Sequence, residues 1–313
     1  MHVLVTGGAG FIGSALTRRL LDRGDSVTII DNMNSYYTPF LKYSRLAHLT
    51  EGARPIIGDF AESAVVEKAF DKPVDVIAHI GAQAGVRYSL ENPAAYTRSN
   101  LEGTVTLLEA ARKHQVKNFV FASSSSVYGE TGDVPFRETA RVDKPESYYA
   151  ATKKAGEEIL HSYHKNYGLN CTALRFFTVY GPWGRPDMAP MLFAKKIIDD
   201  GTIDVFNNGN MSRDFTYVDD IVTGVVAAID KPQPYEIVNI GRGQPVNLLD
   251  FVKTMESAFG KEVKKNYLPM QKGDVTQTFS DTTKAKMLYG YEPKVSLQEG
   301  IGKFAEWYKK YYK

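Results

Sequence analysis

Tyr149 and Lys153 are the two residues whose types and spacing most directly suggest chemistry. They lie four positions apart in a segment that predicts a helix over residues 148–167, so their side chains are neighbours on one helix face. A tyrosine ordinarily has a pKa of about 10, and a nearby ammonium favours its phenolate form. The pair therefore suggests a tyrosine that acts as a base near neutral pH, although a solvated helix edge can show the same spacing. Tyr148 is five positions before Lys153 and so points elsewhere.

Four consecutive serines, Ser123 to Ser126, favour the catalytic interpretation of this pair. They directly follow a predicted strand at residues 118–122, and parallel sheets place their ligand crevice at the carboxyl ends of the strands. A serine hydroxyl at this place can bridge a substrate oxygen and Tyr149.

Three glycines near the start of the sequence are spaced for binding a dinucleotide. Gly7, Gly10 and Gly13 form a turn between a predicted strand at residues 2–5 and a predicted helix at residues 14–21. Because they lack a Cβ, the backbone can approach a pyrophosphate, whose charge is stabilised by unpaired amides and the helix dipole. The next predicted strand ends at Asp31, which can bind a ribose 2′-hydroxyl and would repel a 2′-phosphate. The pattern predicts a nicotinamide-dependent hydride-transfer enzyme that uses NAD rather than NADP.

The composition indicates a soluble globular protein. The 313 residues are 43% hydrophobic and 24% charged, with a formal net charge of +2, which gives no reason to expect a nucleic-acid partner. Cys171 is the only cysteine, so an intramolecular disulfide and a cysteine-based zinc site are excluded. The chain begins directly with its first predicted strand, without a leader or a long apolar run. We therefore expect a cytoplasmic protein with no membrane partner.

Strand-like and helix-like segments alternate in the first half of the chain, which predicts an α/β fold with a Rossmann-type, doubly wound parallel sheet. The further strand candidates are residues 55–57, 74–78, 118–122 and 172–176, and the helix candidates lie near residues 62–70, 94–114 and 148–167. After residue 177 this alternation of strands and helices gives way to loops and short mixed elements. We expect an NAD-binding domain at residues 1–176 and a smaller mixed α/β substrate domain at residues 177–313, with a possible return to the first domain near residues 215–245 and a ligand cleft between them.

The chain resembles the extended short-chain dehydrogenase/reductase superfamily, whose members combine TGxxGxxG with a serine or threonine and YxxxK. The resemblance covers essentially the whole length and places the chain in the NAD-dependent epimerase/dehydratase family, closest to the UDP-glucuronate 4-epimerases. The segments that carry it are residues 79–89, 123–129, 175–187 and 268–275. The resemblance implies tightly held NAD, a UDP-sugar substrate and a homodimer, formed through a bundle of the helices near residues 94–114 and 150–167.

The resemblance also assigns roles to individual residues. Catalysis falls to Tyr149, Lys153 and Ser124, with Ser125 and Ser126 close enough to share the work of Ser124. The expected cofactor-binding residues are Gly7, Gly10, Phe11, Ile12, Gly13, Asp31, Asn32, Asp59, Phe60, Ala82, Gln83, Asn100, Ser123, Tyr149, Lys153 and Phe176. The expected substrate-binding residues are Arg87, Ser125, Ser126, Thr178, Arg185, Arg213, Gln271 and Asp274. No metal is expected, because His161 and His164 are not accompanied by a convergent set of ligands.

The mechanism that the resemblance implies is a transient oxidation at C4 of the sugar, rotation of the keto sugar and return of the hydride to its other face. With a uronate the intermediate is a β-keto acid, which loses carbon dioxide easily unless its carboxylate is fixed. Arg185 is our candidate for this task, because a guanidinium can bind a carboxylate bidentately, although it could instead cap its own loop. A UDP-glucuronate decarboxylase or a nucleotide-sugar 4,6-dehydratase would share the first oxidation, and a non-catalytic NAD-binding protein is the third alternative.

Overall fold

The computed structural model describes residues 1–129, 134–270 and 276–312. Its centre is a sheet of seven parallel strands in the order β11-β6-β5-β4-β1-β2-β3. These strands are β1 (His2–Thr6), β2 (Ser26–Asp31), β3 (Arg54–Ile57), β4 (Val76–His79), β5 (Asn118–Ser124), β6 (Asn170–Phe176) and β11 (Tyr235–Ile240). The strand order reverses between β1 and β4, which is where open α/β sheets bind their ligands.

Helices cover both faces of this sheet. They are α1 (Phe11–Asp22), α2 (Pro39–Leu49), α3 (Ser63–Glu67), α4 (Tyr88–Glu91), α5 (Pro93–Tyr96), α6 (Gly103–Lys113), α7 (Tyr148–Tyr167) and α9 (Val218–Asp230). One apolar cluster contains Leu16 of α1 and Ile221 of α9, and the other contains Leu107 of α6 and Leu160 of α7. The sheet is therefore buried on both sides, as its run of apolar residues in β1 requires.

The remaining elements form a smaller layer beside the carboxyl ends of the central strands. They are β7 (Thr178–Tyr180), α8 (Ala189–Ile198), β8 (Thr202–Val205), β9 (Ser212–Arg213), β10 (Phe215–Tyr217), β12 (Val246–Asn247), α10 (Leu248–Phe259), β13 (Lys264–Tyr267), β14 (Gln277–Thr278) and α12 (Leu297–Tyr311). The exception is α11 (Thr283–Tyr289), which packs against β11 and α9 of the central sheet. Between α8 and α10 the chain returns to the central sheet, since α9 packs on it and β11 pairs with β6 from Tyr235 to Ile240. One apolar cluster runs without interruption from the sheet into this layer.

The predicted helix near residues 94–114 is divided into three parts in the structure. The short α5 is followed by a π-helical segment, Thr97–Glu102, and then by α6. π-Helical segments are rare and often occur at functional sites, and Ser99 within this one lines the main cleft.

Candidate active site

The principal cleft lies at the carboxyl ends of β1, β4, β5 and β6 and encloses about 470 Å³. Its floor is the glycine turn after β1, and its far wall is formed by β7 and the loop that precedes α8. The cleft brings together most of the residues expected from the sequence: Gly7, Gly10, Phe11, Ile12, Gly13, Asp31, Asn32, Phe60, Ala82, Gln83, Arg87, Ser123, Ser124, Ser125, Ser126, Tyr149, Lys153, Phe176, Thr178, Arg185 and Arg213.

The glycine turn fits the diphosphate of a dinucleotide. Gly7 has a φ of +66°, and a Cβ on it would lie 2.6 Å from the Cα of Gly81. A Cβ on Gly13 would lie 2.1 Å from the carbonyl oxygen of Gly7. No side chain caps α1, which begins after Gly10, so its first amides are available to an anion in the cleft. Only glycines allow this turn to pack so closely while its amides stay open to a ligand.

Asp31 is the acidic residue at the end of β2, and its carboxylate is engaged by the backbone. Oδ2 accepts a hydrogen bond from the amide of Ala9 at 3.1 Å, and Oδ1 accepts one from the amide of Met33 at 2.9 Å. Lys42 lies 3.9 Å from Asp31 and donates to Asn34 at 2.9 Å. Burial lowers the pKa of Lys42, although the charge of Asp31 opposes this effect. Sequence reasoning missed Lys42, because no motif singles out a lysine on α2.

Tyr149 faces the serines at the end of β5. The hydroxyl of Ser126 donates to Oγ of Ser124 at 2.9 Å, and Ser124 is close enough to Tyr149 to lower its pKa. Burial raises the pKa of Tyr149 above its ordinary value, while the Ser124 hydrogen bond and the charge of Arg185 act in the opposite direction. The phenol therefore needs further positive charge to become a base near neutral pH. Tyr148, by contrast, points away and shares a hydrogen bond of 2.6 Å with Thr97.

Lys153 is buried one turn below Tyr149 on α7. Its ammonium donates to the carbonyl oxygen of Ala122 at 2.7 Å and lies 4.8 Å from the centre of the Phe121 ring. Burial lowers the pKa of Lys153 to about 7, and the charge of Glu157 limits that decrease. An ammonium has three N–H donors, so Lys153 retains donors for a ligand in the cleft that it lines.

A buried ion pair below these residues escaped the sequence analysis. Glu157, one further turn along α7, accepts from Nε and Nη2 of Arg175 on β6, both at 2.8 Å, and from the hydroxyl of Ser123 at 2.7 Å. Both charged side chains are about 1% exposed or less. The Ser123 hydroxyl is thus directed at Glu157. The only sign of Glu157 in the sequence is that it lies four residues after Lys153. No such spacing indicates Arg175, which lies on another element.

Arg185 reaches the cleft from the loop before α8. Its Nε donates to Oδ1 of Asp187 at 3.0 Å, Nη2 donates to Oδ2, and the hydroxyl of Tyr36 donates to Oδ2 at 3.1 Å. Arg185 is close enough to Tyr149 to lower its pKa. Thr178 also lines the cleft, and its amide donates to the carbonyl of Asp214 at 3.0 Å.

Arg45 on α2 fixes the loop that carries Arg185. Although fully buried, it donates to the carbonyls of Trp183 and Gly184 at 2.7 and 3.1 Å, to the carbonyl of Ala9 at 3.1 Å and to the Tyr37 hydroxyl at 2.6 Å. Trp183 has a φ of +63°, an uncommon conformation for a residue with a side chain. The glycine turn and the loop of Arg185 are thereby joined through one guanidinium.

Two of the expected site residues lie away from the cleft lining, and two more lie outside the described residues. Asp59 and Asn100 do not line the cleft: Asp59 pairs with Arg98 at 2.8 Å, and Asn100 holds the backbone of Gln83 through its amide and oxygen at 3.0 and 2.8 Å. Binding of the cofactor by Asp59 and Asn100 stays a prediction. Gln271 and Asp274 lie outside the described residues.

Within residues 1–129, 134–270 and 276–312, no group of three or more His, Cys, Asp or Glu side chains is arranged to hold a metal ion. Over the same ranges no helix has the length and apolar character needed to cross a membrane.

Comparison with known proteins gives a consistent result. The model of the NAD dependent epimerase/dehydratase family matches residues 3–241. A probable UDP-glucuronate 4-epimerase of Rhizobium meliloti is 42% identical over 335 residues, covering 100% of this chain and 98% of that protein. The structure of a Bacillus cereus UDP-glucuronic acid 4-epimerase in complex with UDP-glucuronic acid and NAD superposes with a TM-score of 0.92 at 36% identity, covering 100% of both chains.

A Thermotoga maritima UDP-glucose 4-epimerase with UDP-glucose reaches the same TM-score of 0.92, at 33% identity and 100% coverage of both chains. A UDP-glucuronic acid 4-epimerase, named for an acidic sugar, and a UDP-glucose 4-epimerase, named for a neutral one, therefore share this fold. The choice between the two sugars has to be argued from the residues of the cleft.

Proposed function

This chain belongs to the NAD-dependent epimerase/dehydratase family, and we propose that it is a UDP-glucuronate 4-epimerase, which interconverts UDP-glucuronate and UDP-galacturonate. The observation that carries this proposal is the placement of Arg185 in the same cleft as Tyr149, near enough to influence its pKa. A guanidinium beside the reacting end of the sugar is the group that would recognise a carboxylate at C6.

The residues of the glycine turn, with the first amides of α1, would hold the diphosphate of NAD, and Asp31 would face the adenosine ribose. When bound, NAD would supply the acceptor for the hydride of C4, and as NADH the donor for its return to the other face of the sugar. Tyr149 removes the proton from O4 in the first half of the reaction and gives it back in the second. Ser124 shares the hydrogen bond to O4, and Lys153 stabilises the phenolate through its charge.

Arg185 also protects the reaction from a side reaction. The 4-keto uronate is a β-keto acid, and decarboxylation requires its carboxylate to rotate into alignment with the keto group. Two parallel hydrogen bonds from one guanidinium oppose that rotation. Thr178, on the same wall of the cleft, would supply another hydrogen bond to the carboxylate.

The second enzyme candidate is a UDP-glucuronate decarboxylase or a 4,6-dehydratase. Both families usually carry an acidic residue after the catalytic hydroxyl, where this chain has Ser125 and Ser126. A non-catalytic NAD-binding protein is disfavoured because Tyr149, Lys153 and Ser124 are all present and line one cleft.

The protein is further proposed to work as a cytoplasmic homodimer, with an NAD-binding domain at residues 1–176 and a substrate domain at residues 177–313. The helices α6 and α7 pack against each other, and Val105 on α6 and Tyr167 on α7 remain 38% and 56% exposed. Apolar side chains exposed on this helix pair support a bundle with a second copy. Light scattering on the purified protein measures the mass directly, and a monomer would contradict the dimer.

A pair of neighbouring tyrosines provides the test of the catalytic assignment. Tyr149→Phe should lower kcat for UDP-glucuronate by at least about 100-fold, because it removes the group that moves the O4 proton. Tyr148→Phe, which removes only the contact with Thr97, is the matched control and should retain most of the activity. Similar losses in the two variants would refute the assignment of the base to Tyr149.

A further inference from the structure

The guanidinium of Arg185 is already paired with a carboxylate of the protein. Nε and Nη2 donate to the two oxygens of Asp187, so the pair uses one edge of the guanidinium. Among the residues that the structure describes, Nη1 has no hydrogen-bond partner. The edge formed by Nη1 and the second hydrogen of Nη2 is therefore available to a ligand in the cleft that Arg185 lines.

Asp187 is held in this position from two sides. Besides Arg185, the hydroxyl of Tyr36 donates to its Oδ2 at 3.1 Å, and the Arg185 guanidinium lies 5.9 Å from the centre of the Tyr36 ring. Burial alone would raise the pKa of Asp187, but the charge and hydrogen bonds of Arg185 and the Tyr36 hydroxyl outweigh it and lower the pKa. Asp187 is thus ionised at neutral pH, and the pair as a whole is neutral.

A neutral pair has a consequence for the sugar that binds beside it. If Arg185 had no counter-ion, a neutral sugar would bury an uncompensated cation, which is costly, whereas a uronate would gain the full attraction. Because Asp187 supplies the counter-ion, a neutral sugar avoids the cost of burying an uncompensated cation. A uronate in the cleft is repelled by the carboxylate of Asp187.

We propose that Asp187 balances the charge of Arg185 and thereby sets the sugar selectivity of the cleft, so that a uronate is accepted without a neutral hexose being excluded. This inference rests on the proposed function, in which Arg185 receives the sugar carboxylate. Besides Arg185, the charged residues that line the cleft are Asp31, Lys42, Arg87, Glu146, Lys153 and Arg213. They are unchanged when Asp187 alone is substituted.

The test compares the affinities of UDP-glucuronate and UDP-glucose for the NAD-loaded protein by calorimetry, in a Tyr149→Phe background that stops turnover. Asp187→Asn keeps an oxygen that can accept from Arg185 but removes the charge. The preference for UDP-glucuronate, taken as the ratio of the two dissociation constants, should rise about tenfold, because a like charge a few ångströms from the ligand carboxylate is lost. Asp187→Glu keeps the charge and should leave the ratio within about threefold of its original value.

A ratio that stays constant or falls in Asp187→Asn would overturn the proposal, since Asp187 would then only orient Arg185. Equal losses for both sugars would overturn it as well, because they indicate a structural role. If the proposed function itself is wrong, the unmodified protein will not turn over UDP-glucuronate. This result is distinct from the changes in binding ratio described above.

Discussion

Glu157 accepts a hydrogen bond of 2.7 Å from the hydroxyl of Ser123, one helical turn beyond Lys153. One turn earlier, Lys153 donates to the carbonyl of Ala122 at 2.7 Å, and one turn earlier again Tyr149 lies near enough to Ser124 for its pKa to be lowered. Three successive turns of α7 thus face three consecutive residues of β5.

The first prediction concerns the carboxylate at the end of this series. Glu157→Gln leaves the guanidinium of Arg175 buried without an ionic partner, and breaking a buried pair in this way costs about 3–5 kcal/mol. We therefore expect the free energy of unfolding, measured by urea denaturation, to fall by about that amount.

The neighbouring residue offers a control for this experiment. Glu158 is 62% exposed and pairs with Lys154, so Glu158→Gln should change the unfolding free energy little. A loss in Glu157→Gln no larger than the loss in Glu158→Gln would show that the ion pair does not stabilise the contact between α7 and β5.

The second prediction concerns the pH dependence of stability. The pKa of Lys153 is lowered by burial from 10.5 to about 7 in the folded protein. Between these two values the unfolded chain binds a proton that the folded protein does not, so stability rises with pH across this window. The difference in unfolding free energy between the cofactor-free protein and Lys153→Met should therefore increase from about pH 7 to about pH 10.

Urea denaturation at several pH values measures this difference. Lys154→Met is the matched control, because Lys154 is 24% exposed, whereas Lys153 is buried. A difference between the unmodified protein and Lys153→Met that stays flat over the window would contradict the lowered pKa of Lys153.

The third prediction concerns Arg45, which joins the glycine turn to the loop of Arg185. Arg45→Met removes its hydrogen bonds and leaves the carbonyls of Trp183, Gly184 and Ala9 without this donor. We expect a loss of roughly 3 kcal/mol or more in the free energy of unfolding, at about 1 kcal/mol for each hydrogen bond. The freed loop should also raise KM for UDP-glucuronate.

Arg141, which is 87% exposed, is the control position for this prediction. Arg141→Met should leave both the unfolding midpoint and KM unchanged. A normal KM for UDP-glucuronate in Arg45→Met would mean that the position of Arg185 does not depend on Arg45.

The parts of the site that lie close together in the sequence were predictable. The glycine turn, the strand that ends at Asp31 and the helix over residues 148–167 occur where the pattern places them, and the structure gives α7 the bounds Tyr148–Tyr167. These features depend on local spacing and on the periodicity of apolar residues, both of which are visible in one sequence.

The contacts that support the site were not predictable in this way. Arg45 lies 138 positions before Trp183, and the partner of Glu157 lies 18 positions away on another element. Such pairs are created by the packing of distant segments, and no local pattern indicates them. The same reason explains why the contacts of Asn100 with the backbone of Gln83 were not predicted.

The most direct test of the account is to incubate the purified protein with UDP-glucuronate and NAD and to resolve the products by proton NMR. The proposed epimerase activity predicts UDP-galacturonate, formed to an equilibrium mixture with UDP-glucuronate and without release of carbon dioxide. A UDP-pentose together with carbon dioxide would contradict it and make the protein a decarboxylase, and the absence of any new UDP-sugar would contradict the proposed epimerase activity altogether.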